Sequence, residues 1–427
     1  MRIVDLREAL DLDAIDVLLQ PREIETNVDE SVAGIVADVR ERGDEALFEY
    51  SARFDGVSLG KDQIRVTEDE IREISAGADD QLVEILRVAA SNIRRFHEEQ
   101  LQESWEIYAG EGVHLGQRVT PIEGAGLYIP GFKAAYPSSV LMNAIPAQVA
   151  GVDRIVVTTP PRSLEENPLV AAALDLLGLY DVYRIGGAQA VAALAYGTES
   201  VPRVDKIVGP GNRYVQSAKK IVFGTVDIDM VAGPSEVAIV ADDTCDPAWA
   251  AADLLAQAEH DEMARVWLIC WSEDLAAAVF DQVQLQLATL DRNEIARMAV
   301  ANNGISFIVN AEDDALRLVN HMAPEHVEVL MAEPDRIADG IRHAGAVFIG
   351  RYSPAVVGDY FAGPNHVLPT GRSARFFSPL GVYDFLKRTS VVRYSGRAIE
   401  KSGSMIEKFA IAEGLTGHAR SITIRRH

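Results

Sequence analysis

From about Gly126 onward, short runs of β-branched residues alternate with alanine-rich stretches of helical character, and this alternation constrains the fold more than any other feature. Strands separated by helices are typical of a parallel sheet covered on both faces. The predicted strands are too numerous for a single sheet in a chain of 427 residues, so we expect two α/β lobes. The runs lie at residues 154–159, 206–208, 237–240, 266–269, 305–310 and 346–349.

The first quarter of the chain is predicted to be mainly helical. Apolar residues recur at helical spacing over 31–50 and 82–96, and Thr67 to Glu70 between them has the pattern of a capping box. Glycine and proline interrupt the pattern near 124–130 and 232–235, which indicates lobe boundaries. After Leu380 the alternation ends, and the rest is predicted to be helix with a basic tail that packs away from the main body.

The charge of the chain argues against several classes of function. Forty Lys and Arg against 64 Asp and Glu leave a net charge of -24, which repels nucleic acid and anionic membranes. No apolar run approaches the length of a membrane span, and the N-terminus lacks a signal-peptide pattern. Two cysteines, Cys245 and Cys270, are too few for a disulfide framework or a thiolate zinc site. We therefore expect a soluble, cytoplasmic protein that acts on small molecules.

Histidine-bearing segments in the last two-fifths of the chain form the candidate active site. Gln257 and His260 are three residues apart in a helical stretch, so their side chains project from one face and could hold one ion. Asp359 offers a carboxylate oxygen and His418 an imidazole. Two nitrogen and two oxygen ligands suit zinc and leave room for a substrate. Each residue also fits an ordinary role, as a polar pair, a solvated aspartate or a tail histidine.

Glu325 and His326 precede a strand-like segment at 327–330. An imidazole is a natural acceptor for the proton of an alcohol, and a carboxylate can activate water. Because neighbouring residues of a strand point to opposite faces, the two groups could serve different steps. The alternative is an ordinary cap at the start of a strand.

Two glycine turns, at 186–187 and 209–211, each follow a predicted strand and precede a predicted helix. Such turns present backbone N–H groups to phosphates. The turn at Gly209 lacks the third glycine of the dinucleotide fingerprint, and 124–127 does not open a helix. The turns are therefore either a phosphate site or plain tight turns of an α/β domain.

Taken together, these segments resemble the histidinol dehydrogenase family, over about residues 30 to 424. The resemblance implies an α/β fold with two incomplete Rossmann-like lobes and parallel sheets. The implied parts are a helical N-terminal segment (1–22), a metal-binding and catalytic lobe (23–127 with 236–380), an NAD-side lobe (128–235) and a C-terminal dimer-interface segment (381–427). The most specific stretches are 133–139, 186–190, 208–212, 232–237, 257–260, 324–326, 365–370 and 414–418.

The resemblance also implies a homodimer whose active site is shared between the subunits. One zinc ion per subunit is then held by Gln257, His260 and Asp359 of one subunit and His418 of the other. NAD would lie against Tyr128, Gln189 and Asn212. The implied substrate-binding residues are Ser235, Gln257, His260, His326, Asp359, His366, Glu413 and His418.

The implied reaction is the four-electron oxidation of L-histidinol to L-histidine, through L-histidinaldehyde, with two NAD. Our hypothesis makes His326 the general base and Glu325 the group that activates water, while zinc orients the amine and imidazole of the substrate. The family often has two consecutive glycines where this chain has Gly131 and Phe132, so Phe132 could alter the access of the cofactor or merely pack.

Three alternative functions remain open at this stage. A relative that oxidises another small alcohol, such as a sulfonated diol, would share the zinc ligands, although Glu413 favours a substrate with an ammonium group. A zinc hydrolase has no use for the glycine turns. A binding protein would need neither a catalytic Glu325 nor a metal.

Overall fold

The structure is a computed structural model that describes residues 1–19, 27–131 and 136–426. Its strands are β1 Arg2–Asp5, β2 Arg65–Val66, β3 Trp105–Tyr108, β4 His114–Pro121, β5 Gly124–Tyr128, β6 Arg154–Thr159, β7 Val182–Arg184, β8 Lys206–Val208, β9 Asp227–Ile228, β10 Glu236–Ala241, β11 Arg265–Cys270, β12 Ile305–Ile308, β13 His326–Leu330, β14 Ala346–Ile349 and β15 Leu386–Arg393.

Helices surround these strands and make up more of the chain than the strands do. They are α1 Leu12–Leu19, α2 Asn27–Arg42, α3 Asp44–Tyr50, α4 Glu68–Ser75, α5 Asp80–Glu98, α6 Pro137–Ala150, α7 Ser163–Glu166, α8 Pro168–Leu177, α9 Gly187–Tyr196, α10 Arg213–Val222, α11 Pro247–Ala258, α12 Glu273–Leu287, α13 Asn293–Asn303, α14 Glu312–Met322, α15 Asp335–Gly340, α16 Ala355–Tyr360, α17 Gly396–Ala412 and α18 Thr416–Thr423.

Sheet 1 has six parallel strands in the order β1-β12-β11-β10-β13-β14. Its central strands are buried on both faces, because alternate residues enter different cores: Val237 and Ile239 pack under α11 to α13, and Ala238 and Val240 pack with α14. Continuous apolar strands of this kind are what a doubly covered parallel sheet requires. The predicted α/β class with parallel sheets is confirmed.

Sheet 2 has the order β2-β7-β6-β5-β8-β9 and is parallel except for β2, which runs antiparallel to β7. Helices α4, α5, α6 and α8 cover one face, and α2, α3, α9 and α10 cover the other. Residues 27–127 therefore supply cover and two strands to the sheet built by 128–235. The resemblance had implied that 23–127 belongs with 236–380, but the apolar faces of the helices in 27–127 pack on sheet 2.

Two further predictions differ from the structure near the N-terminal side of the chain. The segment 1–22 was predicted as helical, but Arg2–Asp5 forms β1 and pairs with β12 at the edge of sheet 1 before α1 begins. The glycines at 124–130 were taken as a lobe boundary, yet Gly124–Tyr128 is the buried strand β5 in the middle of sheet 2. The break at 232–235 does lie where the chain passes from sheet 2 to sheet 1.

Local signals in the first quarter are confirmed. The periodic stretches at 31–50 and 82–96 lie in α2, α3 and α5. Thr67 caps α4 with the predicted capping box, in which its hydroxyl accepts the Glu70 N–H at 3.2 Å and the Glu70 carboxylate accepts the Thr67 N–H at 2.8 Å. Phe132, singled out in the sequence, lies outside the described residues.

The C-terminal segment is more than a helix with a tail. β15 pairs antiparallel with the whole of β4, and β3 pairs with β4 on its other side, forming the three-stranded sheet 3. Helices α17 and α18 follow. The strand was missed because Leu386–Arg393 is charged and mostly exposed, without the apolar alternation of a core strand.

Within residues 1–19, 27–131 and 136–426, no helix combines the length and apolar character needed to cross a bilayer.

A buried ion pair fixes the glycine turn after β8. The ammonium group of Lys219, almost fully buried on α10, pairs with the carboxylate of Asp229 and donates to the Gly209 carbonyl at 3.0 Å. The second oxygen of Asp229 accepts the Gly209 N–H at 2.8 Å. Removing one partner of such a pair leaves an uncompensated charge in the core.

We therefore expect Lys219→Met to lower the free energy of unfolding by about 3–5 kcal/mol, because it leaves Asp229 buried and unpaired. Thermal and denaturant midpoints measured at one protein concentration would report the loss. The matched control is Lys220→Met, whose exposed ammonium lies 4.0 Å from Asp29, and it should change stability by about 0.5 kcal/mol or less. Equal midpoints for the two variants would contradict a structural role for the buried pair.

Candidate active site

The candidate catalytic residues lie at the amino ends of two neighbouring strands of sheet 1. His326 is the first residue of β13, and Glu236 is the first residue of β10. The strands are parallel, and His326 is in register with Val237. Helix α11 follows β10 and runs back along the sheet, so its end brings Gln257 and His260 toward the same edge. Helix α16 adds Asp359.

The imidazole of His326 is held in one orientation. Its Nδ1 lies 3.1 Å from the Glu236 carbonyl oxygen, which can only accept, so Nδ1 carries a hydrogen. Its Nε2 is buried without a hydrogen-bond partner among the described residues. It lies 3.6 Å from an oxygen of Asp359, which is within the distance of an ion pair. The Phe348 ring stacks on the imidazole with centroids 5.9 Å apart. In the neutral ring, Nε2 is therefore the free basic atom.

The carboxylates around His326 change its protonation. Burial lowers the pKa of His326, but the charges of Glu325 and Asp359 outweigh burial and raise it to about 9. Burial raises the pKa of Glu325 to about 7, although the His326 charge opposes this. Such displaced values are typical of groups that exchange protons in a reaction.

Sequence reasoning missed Glu236. It is 1% exposed, and burial raises the pKa of its carboxyl to about 7. Its carboxylate lies 3.4 Å from Arg265 and accepts the Gly371 N–H at 3.2 Å, and its backbone N–H donates to Glu325 at 2.8 Å. The neighbouring Ser235, named from the sequence, precedes it at the start of β10. The available signal was a glutamate opening an otherwise apolar strand.

Asp359 and His366 form the second half of the site. The ring Nδ1 of His366 lies 2.9 Å from the Asp359 carbonyl oxygen, which fixes the loop after α16 against that helix. Burial opposes ionisation of Asp359, but the imidazoles of His326, His366 and His260 together lower its pKa. Burial lowers the pKa of both His260 and His366. The structure thus brings these predicted residues into one electrostatically coupled group.

Gln257 lies on the last turn of α11, and His260 lies two residues after the helix ends, so the two do not share one helical face as their spacing predicted. Gln257 is 4% exposed, and neither side chain has a hydrogen-bond partner among the described residues. Within the described ranges, no group of three or more His, Cys, Asp and Glu is arranged to hold a metal ion. His260 and Asp359 are two residues of those types, and Gln257 adds an amide oxygen.

Glu413 and His418 are not brought to this group within one chain. Glu413 ends α17 and His418 lies on α18, and both are exposed. Neither makes a hydrogen bond or an ion pair with Gln257, His260 or Asp359 in the part of the chain that the structure describes.

The glycine turns meet at the carboxyl ends of sheet 2. Strands β6 and β8 lie on opposite sides of β5, so the direction of the connections reverses there, which is where α/β sheets form a ligand crevice. The hydroxyl of Tyr128, at the end of β5, accepts the Gly187 N–H at 3.1 Å. Gly209 has φ +120°, and a Cβ there would lie 2.2 Å from the Tyr128 carbonyl oxygen, so the turn requires glycine.

The three predicted cofactor residues surround this crevice in different ways. Tyr128 is buried, and burial raises the pKa of its hydroxyl to about 12, so the hydroxyl stays neutral. Gln189 is buried on the first turn of α9. Asn212 caps α10, its side-chain oxygen accepting the N–H groups of Tyr214 and Val215 at 3.0 and 3.2 Å. Asn212 therefore has an established structural role at this turn.

One segment, 361–380, contacts both sheets. The Asn365 amide donates to the Met142 carbonyl on α6 at 2.7 Å, and Val367 packs in the core of sheet 2. Further on, the Thr370 hydroxyl accepts the Gly233 N–H and the Gly371 N–H donates to Glu236. The segment thus connects α6 and the core of sheet 2 to the start of β10, beside the candidate catalytic residues.

Comparison with known proteins shows similarity along the whole chain. A relative from Geobacillus kaustophilus, named histidinol dehydrogenase, is 52% identical over 408 residues, which cover 95% of this chain and 96% of the relative. A histidinol dehydrogenase from Geobacter sulfurreducens is 48% identical over 427 residues, with full coverage of both.

The fold agrees with these similarities. A crystal structure of histidinol dehydrogenase from Elizabethkingia anophelis has a TM-score of 0.93 and 37% identity, and the match covers 100% of this chain and 98% of that one. The family profile described as histidinol dehydrogenase matches residues 19–426. The chain therefore belongs to the histidinol dehydrogenase family.

Proposed function

We propose that this protein oxidises L-histidinol to L-histidine in two steps through L-histidinaldehyde, with NAD as the oxidant and zinc in the substrate site. Family membership makes the protein an oxidoreductase of histidine biosynthesis. The observation that supports the mechanism best is the oriented His326. Its Nδ1 lies 3.7 Å from Glu325, and its buried Nε2, which has no hydrogen-bond partner among the described residues, lies 3.6 Å from Asp359.

His326 is the general base of the first step. Its Nδ1 is bound to the Glu236 carbonyl oxygen, so Nε2 takes the hydroxyl proton of the alcohol while the carbinol carbon loses a hydride. The raised pKa of His326 comes from Glu325 and Asp359. A cation near Asp359, such as the ammonium group of an amino alcohol, would offset that charge and favour the neutral ring.

Glu325 activates the water of the second step. Its carboxyl is held by the Glu236 N–H, and burial raises its pKa to about 7, so it can take up a proton near neutral pH. One water adds to the aldehyde to give the hydrated form, which then loses a second hydride and two protons to leave the carboxylate. Each step releases two electrons, which gives four for the whole reaction.

The side chains of this site fit a zinc ion. Gln257 is buried with no hydrogen-bond partner among the described residues, and the His260 imidazole and the Asp359 carboxylate lie in the same coupled group. We propose that these three, with His418 of the partner subunit, hold zinc. When bound, zinc would orient the amine and imidazole nitrogens of the substrate. Ser235, His366 and Glu413 would complete the substrate site.

The crevice at the carboxyl ends of sheet 2 fits the cofactor. The N-termini of α9 and α10 follow the glycine turns and favour phosphates, although the Gly187 and Gly209 N–H groups themselves bind Tyr128 and Asp229. Tyr128, Gln189 and Asn212 lie beside these turns. Bound NAD would accept one hydride in each step.

Exposed apolar side chains on sheet 3 and α17 support a homodimer. Trp105 and Ile107 on β3, Val392 on β15, and Met405 and Phe409 on α17 are all more than half exposed. Such a surface is unusual for a protein that stays monomeric. The surface belongs to the same C-terminal part as Glu413 and His418, so its burial against a second copy would carry both residues toward a neighbouring site.

Glu325→Gln tests whether Glu325 activates the water of the second step. We expect oxidation of histidinaldehyde to slow by about 10²- to 10⁴-fold, because an amide cannot take a proton from water, while oxidation of histidinol to the aldehyde survives. NADH formation, measured once with histidinol and once with histidinaldehyde as the substrate, would distinguish the two oxidation steps. Glu333→Gln, at an exposed residue beyond the other end of β13, is the control. Unchanged histidine formation from histidinol would refute the assignment.

Mixing two inactive variants tests the shared site. Asp359→Ala and His418→Ala should each abolish activity, but their heterodimer has one site with both residues intact. Co-expression of the two chains should therefore recover about one quarter of the wild-type activity, the value for random pairing in a two-fold dimer.

The matched control for mixing is Asp359→Ala with His260→Ala. Both residues are proposed to come from the same subunit, so no heterodimeric site contains both and activity should stay absent. Recovery in the control would show that Asp359 and His260 do not come from the same subunit. No recovery when purified heterodimers of the first pair are assayed would show that His418 does not cross between subunits.

A further inference from the structure

A second pair of carboxyl groups lies behind the candidate active site. Glu328 is 0% exposed and is two residues after His326 on β13, so both side chains leave the same face of the strand. Asp253 lies on α11, four residues and about one turn before Gln257. Neither residue has a role in the proposed reaction.

Glu328 contacts both helices that carry proposed zinc ligands. One oxygen of its carboxyl accepts the N–H of Ala355, the first residue of α16, at 2.8 Å, and Asp359 follows four residues later. The other oxygen is buried and meets no N–H donor among the described residues. The carboxyl of Asp253 lies within hydrogen-bonding reach of the Glu328 carboxyl.

The contact between the two carboxyl groups is stable only if one of them carries a proton. Burial, followed by the charge of Asp253, raises the pKa of Glu328 well above its ordinary value, and burial also raises the pKa of Asp253. A single proton between them converts repulsion into a hydrogen bond. The pair then links β13 to α11, while the remaining oxygen of Glu328 links β13 to α16.

The packing around Glu328 leaves α16 little freedom to move. Phe348, the partner of Glu328 in the register of β13 and β14, stacks on the His326 ring. Gly358 on α16 approaches the Phe348 ring so closely that a Cβ would lie 2.7 Å from it. A shift of α16 would therefore disturb Asp359 and His326 together.

We propose that Glu328, hydrogen-bonded to Asp253 and to the Ala355 N–H, is a positioning residue that sets the spacing of Gln257 and His260 from Asp359. This inference rests on the proposed function, because it assigns Glu328 to the zinc-binding geometry of that site. A buried Glu328 carboxyl beside a half-buried Asp253 is a costly way to fill space, and well-packed apolar residues would stabilise the fold as well or better. The hydrogen bonds instead fix the orientation of α11 and α16 relative to β13, which apolar packing alone does not.

The test compares variants that keep the hydrogen bonds with variants that remove them. Glu328→Leu removes both contacts of Glu328, and Asp253→Ala removes the contact between the carboxyl groups. Zinc affinity, measured by competition of the metal-free dimer with a chelator, should fall by about 10- to 100-fold for Glu328→Leu and in the same direction for Asp253→Ala. The kcat should fall as well, whereas the KM for NAD stays unchanged.

Glu328→Gln and Asp253→Asn should restore zinc affinity close to that of the wild type. The glutamine oxygen can accept the Ala355 N–H while its amide nitrogen donates to Asp253, and the asparagine amide can donate to Glu328. Val329→Ala is the control for stability, since it truncates the next residue of β13 in the core on the opposite face. It should lower the unfolding midpoint without weakening zinc binding.

The outcomes separate this inference from the proposed function. A wild-type protein that binds no zinc and forms no NADH from histidinol refutes the function itself. A wild type with both properties, combined with zinc affinity unchanged in Glu328→Leu, overturns only the positioning role. A fall in zinc affinity of equal size in Val329→Ala also overturns the positioning role, because the effect would then come from a general loss of stability. If Glu328→Leu does not fold, Asp253→Ala against Asp253→Asn decides in the same way.

Discussion

The pairing of β10 with β13 is the interaction on which the site depends. Through it, one residue of β10, Glu236, binds both proposed catalytic groups: its N–H donates to Glu325 and its carbonyl oxygen receives the Nδ1 hydrogen of His326. A slip of one residue in this register would turn every side chain of the strand to the other face. The acid and the base are therefore oriented by the backbone of a buried parallel sheet, which is among the most rigid supports a fold offers.

That arrangement brings several ionisable groups together out of water, at a cost in stability. Glu236, Glu325 and His326 are each less than a tenth exposed, and two of the three are carboxyl groups whose pKa is raised to about 7. The charges of His326 and Arg265 offset part of this cost. The carboxyl groups of Glu236 and Glu325 therefore gain and lose a proton near neutral pH, which an exposed pair of carboxylates would not do.

The sequence was informative where a signal is local. Strand and helix periodicity, the Thr67 capping box, and the turns before α9 and α10 were all predicted where the structure has them. The packing of segments that are far apart in the chain was not predicted. Residues 27–127 cover sheet 2, and β1 pairs with β12 some 300 residues away. Glu236 was missed because burial, which gives it an unusual pKa, depends on Arg265, Glu325 and Gly371 from distant segments. The grouping of Asp359 with three histidines needed the resemblance to a family, since spacing alone linked only Gln257 and His260.

The proposed cofactor site and the proposed metal site use opposite ends of the strands in their sheets. Sheet 2 offers the carboxyl ends of its strands, the usual side for a ligand in an α/β fold, whereas sheet 1 offers the amino ends of β10 and β13. Carboxyl ends provide helix N-termini and N–H groups, which suit an anionic cofactor. Amino ends lie beside the C-termini of helices such as α11, whose dipoles favour cations. A dinucleotide on one side and a metal ion with an amino alcohol on the other would each meet the helix polarity that suits its charge, and the segment 361–380 fixes the two sides relative to each other through Asn365 and Gly371.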